Sequence, residues 1–189
     1  MTDPTQDNDA TVLVVDDEPD LVSLYAAWLA DSYDVRRAAG GEEAIATLDD
    51  SFDVALLDRR MPGVSGDDVL AEIRDRGIDC RVAMITAVDP DVDILDMAID
   101  DYLVKPVDEH DLRAVVEVLL QRRRYDEKRR EFLRFAAKRA AIESADGDHA
   151  ADPEYRELLD RMEALRESID ATADELAPAD YEAAFRNLE

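Results

Sequence analysis

Four apolar runs, each cut off by a polar or charged residue, divide the first part of the chain. Val12-Leu13-Val14-Val15 stops at Asp16-Asp17-Glu18-Pro19, and Val54-Ala55-Leu56-Leu57 stops at Asp58. Val82-Ala83-Met84-Ile85 stops at Thr86, and Tyr102-Leu103-Val104 stops at Lys105-Pro106. Runs that are apolar on both faces read as strands of a parallel sheet covered by helices. A further short strand is predicted over residues 33–38. Between the runs, apolar residues recur at helical spacing. Leu21, Leu24, Tyr25, Trp28 and Leu29 predict a helix over 19–30, with Trp28 in the core. A second helix, 42–48, is entered through Gly40-Gly41. A third holds Val69, Leu70 and Ile73, with Ser65 as its cap and Gly77 as its end. A short fourth holds Ile94, Leu95 and Ala98 after Asp89-Pro90, and a fifth begins near Asp108. Strands alternating with helices of these lengths predict βαβ units, hence an α/β domain.

Beyond residue 121 the period stays helical. Leu112, Val115, Val116 and Leu119, then Tyr125, Phe132, Leu133 and Ala136, predict a helix that runs on toward Ile142. It would be roughly 50 Å long at 1.5 Å per residue, with residues 122–124 as the place for a break. Residues 144–153, with Gly147, read as a polar linker. Tyr155, Leu158, Met162, Leu165, Ile169, Thr172 and Leu176 then alternate in steps of three and four, a coiled-coil stripe. Pro178 is predicted to start a final short helix with Tyr181, Ala184, Phe185 and Leu188. Residues 1–10 read as a loose polar tail.

Charge sharpens this division. The 189 residues carry 48 acidic and 22 basic side chains, a formal net charge of −26. Residues 122–139 hold nine basic and three acidic residues, net +6, and residues 143–189 are net −11, which leaves −21 for residues 1–121. The acidic body argues against nucleic acid as its partner. A basic helix followed by an acidic amphipathic one predicts an antiparallel hairpin zipped by charge and apolar contact. A DNA-binding arm over 122–139 is the rival reading, but no helix-turn-helix or winged-helix pattern accompanies it. Lysine occurs only at Lys105, Lys128 and Lys138. The acidity resembles that of proteins from salt-loving archaea, where a Debye length of about 3 Å at 1 M salt screens self-repulsion. The single Cys80 excludes an internal disulfide, and His110 and His149 lack partners at zinc-ligand spacing. No apolar run approaches membrane-spanning length, and the start does not look like a signal peptide. The expected setting is a soluble protein of the cytoplasm.

The chemistry lies where the strands end. Carboxyl ends of strands in open α/β sheets are where ligands bind. Here they deliver Asp16 and Asp17, Asp58, Thr86 and Lys105. Carboxylates gathered on one edge repel each other unless a cation joins them. Few, hard oxygens with room for water and a phosphate suit Mg²⁺. Lys105 supplies a point charge for a phosphoryl oxygen, and the Thr86 hydroxyl can bond another. Such a set is suited to placing a phosphoryl group on a carboxylate.

The order Asp16-Asp17, Asp58, Met61-Pro62-Gly63, Thr86-Ala87 and Tyr102-Leu103-Val104-Lys105-Pro106 resembles the receiver domain of two-component response regulators, over residues 11–121. The resemblance implies a flavodoxin-like (βα)5 sheet in the order 2-1-3-4-5. It implies Asp58 as phosphoacceptor, with a sensor histidine kinase as donor. Asp17 would ligate Mg²⁺ directly, Asp16 through water, and Arg60 through its backbone carbonyl. Lys105 would pair with Asp58 and later with the phosphoryl oxygen. A cis bond before Pro106 would aim Lys105. Thr86 would be drawn to the phosphate, Tyr102 would move into the vacated space, and small Ala87 would keep the donor's path open. Such a chain catalyses only its own phosphorylation and dephosphorylation. Two residues depart from an ordinary pattern at the phosphoryl site, the bulky cation Arg60 and the apolar Val88. The segment after Thr86 is shorter than the family's, and no glycine precedes Asp100-Asp101.

Residues 122–189 resemble, in architecture and composition, the HalX domain that follows receivers in halophilic archaea. The resemblance implies an output partner met by the helices and leaves room for a homodimer through them. The family's usual dimer face would here set Asp91, Asp93, Asp96, Asp100, Asp101, Asp108, Glu109, Asp111 and Glu117 against Arg113, so two copies should repel. Two alternatives compete. A pseudo-receiver scaffold sits poorly with the intact set Asp16, Asp17, Asp58, Thr86 and Lys105. A phosphohydrolase would need a second carboxylate two residues after the nucleophile, where Arg60 stands.

Overall fold

The computed structural model describes residues 10–88, 97–144 and 152–185, with the side chains of 175 and 177–185 left aside. The expected short helix with Ile94 and Leu95, the acidic residues Asp91, Asp93 and Asp96, and most of the expected linker lie outside the described residues. Two compact units divide the chain, Met1–Leu120 and Gln121–Glu189.

The first unit is built on five parallel strands, β1 (Thr11–Val15), β2 (Asp34–Ala38), β3 (Val54–Leu57), β4 (Arg81–Thr86) and β5 (Asp101–Val104). Their order is β2-β1-β3-β4-β5. Helices α1 (Pro19–Leu29), α2 (Gly41–Thr47), α3 (Gly66–Asp75) and α4 (Glu109–Glu143) connect or follow them. Alternate residues of each strand feed opposite faces of the sheet. Leu13, Val15, Ala55, Leu57, Val82 and Met84 pack with Val69, Leu70 and Ile73 of α3 and with Phe52. Val12, Val14, Val54, Leu56, Ala83 and Ile85 pack with Val22, Tyr25 and Leu29 of α1 and with Leu112, Val115, Val116 and Leu119 of α4. Burial on both faces explains why these strands read as continuous apolar runs.

Helix α1 keeps most of the expected stripe, with Leu21 and Trp28 packed against the core of Tyr25 and Leu29, and departs from it at Leu24. Val22, Tyr25, Ala26 and Leu29 are buried, at steps of three and four, whereas Leu24 is exposed. Trp28 is half-buried, its ring 5.5 Å from that of Tyr25. Ser65 caps α3 as expected. Its side chain accepts from the Asp68 amide, and Asp68 bonds back to the Ser65 amide at 2.9 Å. Gly77 follows that helix with φ of 69°, the left-handed conformation open to glycine.

Helix α4 is unbroken over 35 residues, so residues 122–124 do not interrupt it. Helix α5 spans Pro153–Phe185. The break expected at Pro178 is absent, and the backbone stays helical through it. A proline inside a helix lacks the amide that would bond back one turn, and α5 continues past Pro178 without that bond. In the second unit, α5 runs antiparallel to the latter part of α4. Lys128 Nζ donates to Thr172 Oγ1 at 2.9 Å, Arg161 pairs with Glu131 at 2.8 Å, and the Tyr155 hydroxyl donates to Glu143 at 2.9 Å. Lys138 and Arg161 both lie over the Phe135 ring, at 5.6 and 5.1 Å.

Candidate functional site

Asp58 directly follows β3 and is buried, at 8% exposure. Its amide donates to the Val15 carbonyl at 2.9 Å, which extends the β1–β3 ladder and fixes the residue to the sheet edge. Asp16 leaves β1 in the same way, its amide bonded to the Ala38 carbonyl at 3.3 Å. Asp16 is buried and Asp17 exposed. The Asp16 carboxylate accepts from the Glu18 amide at 2.9 Å, a local turn that directs its other oxygen inward.

Lys105 reaches both buried acids. Its Nζ lies 2.6 Å from Asp16 Oδ2 and 2.8 Å from Asp58 Oδ2. Burial alone would lower the pKa of this ammonium, but its bonds to Asp16 and Asp58 hold it above the ordinary value. The Lys105 amide donates to the Thr86 carbonyl at 2.9 Å, and the Lys105-Pro106 peptide is cis, as expected. Tyr25 of α1, which the sequence marks only as a core residue, is subject to the same charges. Burial pushes its phenol up, Lys105 draws it down, and Asp16 and Asp58 add to the rise.

Asp16, Asp17 and Asp58 each offer a carboxylate oxygen within 4.8 Å of the others. Three hard oxygen donors at that spacing, one of them exposed to solvent, fit a small divalent cation such as Mg²⁺. Arg60 is exposed, and its amide donates to Asp58 Oδ1 at 3.2 Å. The loop between is held from behind. Gly66 donates from its amide to the Arg59 carbonyl at 3.0 Å, and the Arg59 guanidinium pairs with Asp67 at 3.2 Å. A Cβ on Gly66 would stand 2.2 Å from the Asp58 carbonyl oxygen. Only glycine fits there, a requirement that sequence reading missed although the Ser65-Gly66 helix start marked the place.

Thr86 is buried at the end of β4, and Ala87 beside it is exposed. Tyr102 is buried as well, at 8% exposure, with its hydroxyl donating to the Val88 carbonyl at 2.8 Å. The Val88 amide in turn donates to Thr86 Oγ1 at 3.4 Å. One residue's main chain therefore joins the hydroxyls of Thr86 and Tyr102. The expected residues thus stand on one sheet edge. The Asp16–Lys105 bond is an addition, because sequence alone pairs Lys105 with Asp58.

Comparison with known proteins agrees. The response regulator receiver domain family matches residues 12–117, and the HalX domain matches residues 121–185. A Haloferax volcanii protein, whose name assigns it to transcriptional regulation, is 48% identical over 94% of this chain and 29% of its own length. The transcriptional regulatory protein CpxR of Klebsiella pneumoniae is 38% identical over 61% of this chain and 51% of its own. ResD of Bacillus subtilis is 35% identical over 62% and 50%. The chain spans between 29% and 51% of the length of these relatives. Among solved structures, the Thermotoga maritima response regulator TrrA, in complex with Mg²⁺ and BeF, is 34% identical with a TM-score of 0.52, covering 59% of this chain and 99% of that one. A CheY-like receiver from Methanospirillum hungatei is 28% identical with a TM-score of 0.55, over 61% and 98%. Composition and the Haloferax relative agree on a halophilic archaeal origin. On fold, site and sequence together, the chain belongs to the response regulator receiver family and carries a HalX domain after its receiver.

Proposed function

We propose that the chain is a phosphorylation switch of a two-component system. In this reading Asp58 accepts a phosphoryl group from a phosphohistidine of a sensor kinase. The observation that carries it is the buried Asp58 carboxylate, 2.8 Å from Lys105 Nζ and within 4.8 Å of two further carboxylates. An Asp58 oxygen attacks phosphorus, the bond from phosphorus to the histidine nitrogen breaks, and the electron pair leaves with the imidazole. Asp17 and Asp58 would hold Mg²⁺ directly, Asp16 through water, with the Arg60 carbonyl beside them. The ion, when bound, offsets charge on the phosphoryl oxygens. Lys105 stays within reach of Asp16 while it turns from the Asp58 carboxylate toward a phosphoryl oxygen. Exposed Ala87 leaves room for the donor.

Thr86 carries the signal onward. When its hydroxyl turns toward a phosphoryl oxygen, the Val88 amide loses its acceptor. The same residue's carbonyl holds Tyr102, so the two side chains shift together. Helix α4 follows β5 directly, and its residues Leu112 to Leu119 pack on the sheet. A coupling of about 1–3 kcal/mol through that helix would alter the affinity of the HalX helices for an output partner. The cytoplasm, where a kinase domain would be met, is the matching location, and no helix among the described residues is long and apolar enough to cross a membrane. DNA binding by the basic part of α4 is less well supported. Arg123 and Arg139 pair with Glu127 and Glu143, and Lys128 and Lys138 are engaged with Thr172 and Phe135.

Mass analysis after incubation with acetyl phosphate and Mg²⁺ tests the reading. One phosphoryl adduct on the native chain is expected, with none on Asp58→Asn or on Asp17→Asn. Full labelling of Asp58→Asn at another residue would overturn it. For the output step, amide exchange in α4 and α5 is expected to change when beryllofluoride occupies Asp58. An unchanged pattern removes the helices from the signal path.

A further inference from the structure

The second unit is only two helices thick, and it leaves much of its apolar stripe uncovered. Among the described residues from Gln121 onward, only Met162, Thr172 and Leu176 are buried. Leu133 is 57% exposed. A helix pair with an apolar stripe of this width ordinarily completes its core against another layer.

The two sides of the hairpin are not alike. On one side Lys138 and Arg161 lie over the Phe135 ring, and Arg161 also binds Glu131. The other side is open. A groove of about 500 Å³ runs between the helices there, floored by Phe132, Leu159 and Met162. At 100° per residue, Leu133, Ala136 and Arg129 rise from α4 on this open side. Arg166, Glu163 and Asp170 line it from α5.

We propose that this open face is a dimer interface, on which a second copy seats its own hairpin. The partner is chosen by charge. A two-fold axis along the helices sets α4 against α5 of the partner, whereas one across them sets α4 against α4. The cationic stretch 122–139, net +6, stands level with residues 161–178, net −3, in the first arrangement and against itself in the second. The first arrangement also matches level for level. Lys128 meets Thr172 and Glu143 meets Tyr155 within one hairpin, so residues whose numbers sum to near 300 share a level. Arg129 then faces Asp170 of the partner subunit across the interface, and Ala136 faces Glu163 of the partner subunit. The result is a four-helix bundle with antiparallel neighbours, in which Phe132, Leu133, Leu159 and Met162 form a shared core. Apolar burial supplies the affinity, and charge selects the pairing. The proposal stands apart from the phosphorylation reading, since every residue it uses lies in Gln121–Glu189.

Sedimentation of the full chain, without phosphodonor and in about 2 M KCl to screen the receiver, provides the first test. A mass of twice 21.2 kDa is expected between about 1 and 100 µM; a monomer throughout overturns the proposal. Leu133→Glu is expected to weaken the dimer by about tenfold or more. Leu133 is already exposed, so the melting temperature of the receiver should not move. Association as tight as the native chain's would mean another face is used. Geometry is read by mixing Ala136→Cys chains with Glu163→Cys chains under mild oxidation, the natural Cys80 being buried. A covalent dimer is expected from the mixture and none from Ala136→Cys alone. A link formed by Ala136→Cys alone would place α4 on α4, and no link in the mixture would leave α4 and α5 apart; either result overturns the arrangement.

Discussion

The receiver and the HalX hairpin solve the same physical problem with unequal means. The receiver covers both faces of its sheet, and side chains as large as Phe52, Leu57 and Ile73 are almost wholly buried. The hairpin buries three described residues and leaves Phe132, Phe135, Leu158 and Leu165 partly open. The first holds two carboxylates and an ammonium to within hydrogen-bond distance because its framework does not yield. The second keeps apolar surface in reserve, which suits a part that meets a partner. The proposed chemistry sits on the self-sufficient unit and the proposed assembly on the incomplete one.

The largest test of that contrast is salt. Residues 1–121 carry a net −21, against −5 for residues 122–189. Transfer from molar to millimolar KCl should therefore lower the melting temperature by more than about 10 °C, with amide protection lost first in the receiver. A level melting temperature, or loss beginning in the hairpin, would break the comparison. Core truncation comes next. Phe52→Ala is expected to cost about 3–5 kcal/mol in denaturant unfolding. Leu158→Ala, in the hairpin, should cost less than half of that, and equal losses would show the two cores to be alike. Gly66→Ala probes how rigidly the receiver holds its site. The added methyl meets the Asp58 carbonyl, so a loss of about 1–3 kcal/mol is expected, together with slower phosphorylation by acetyl phosphate. A variant that is native in both measurements would show the loop to be pliant.

The smallest effect concerns the start of α3. Ser65→Ala should lower the melting temperature by roughly 3–5 °C. The pH dependence follows from Asp68, whose pKa is lowered by its bonds to the Ser65 hydroxyl and amide. A depressed acid contributes stability above its unfolded pKa, and the contribution is lost as pH falls through the folded one. The difference between native chain and variant should therefore shrink below about pH 4; a constant difference would assign the effect to something other than this cap.

Much of the receiver was legible because its signals are local. Asp58 stands out since a four-residue apolar run stops at it, and Ser65 caps because its side chain bonds three residues on. What failed depended on distance or on faces. Helical spacing picked out Leu24, yet it is Val22 that joins Tyr25 and Leu29 in the core, and only packing tells adjacent stripes apart. The resemblance pairs Lys105 with Asp58 alone, whereas its ammonium bridges Asp58 and Asp16, two acids from separate strands whose spacing no linear pattern states. The glycine at position 66 is required by a backbone approach that no pattern records. Local propensity marks Pro178 as a boundary, which the longer helix overrides.

The bond pair at Val88 has an evolutionary consequence. Its amide and its carbonyl link Thr86 to Tyr102, and its side chain takes no part in either bond. Mutation can therefore vary the side chain at 88 without cutting that link. Under the proposed phosphorylation reading, a change of side chain at 88 would alter what borders the phosphoryl group and leave the link between Thr86 and Tyr102 in place. Proline, which lacks the amide hydrogen, is the one substitution that such drift has to avoid.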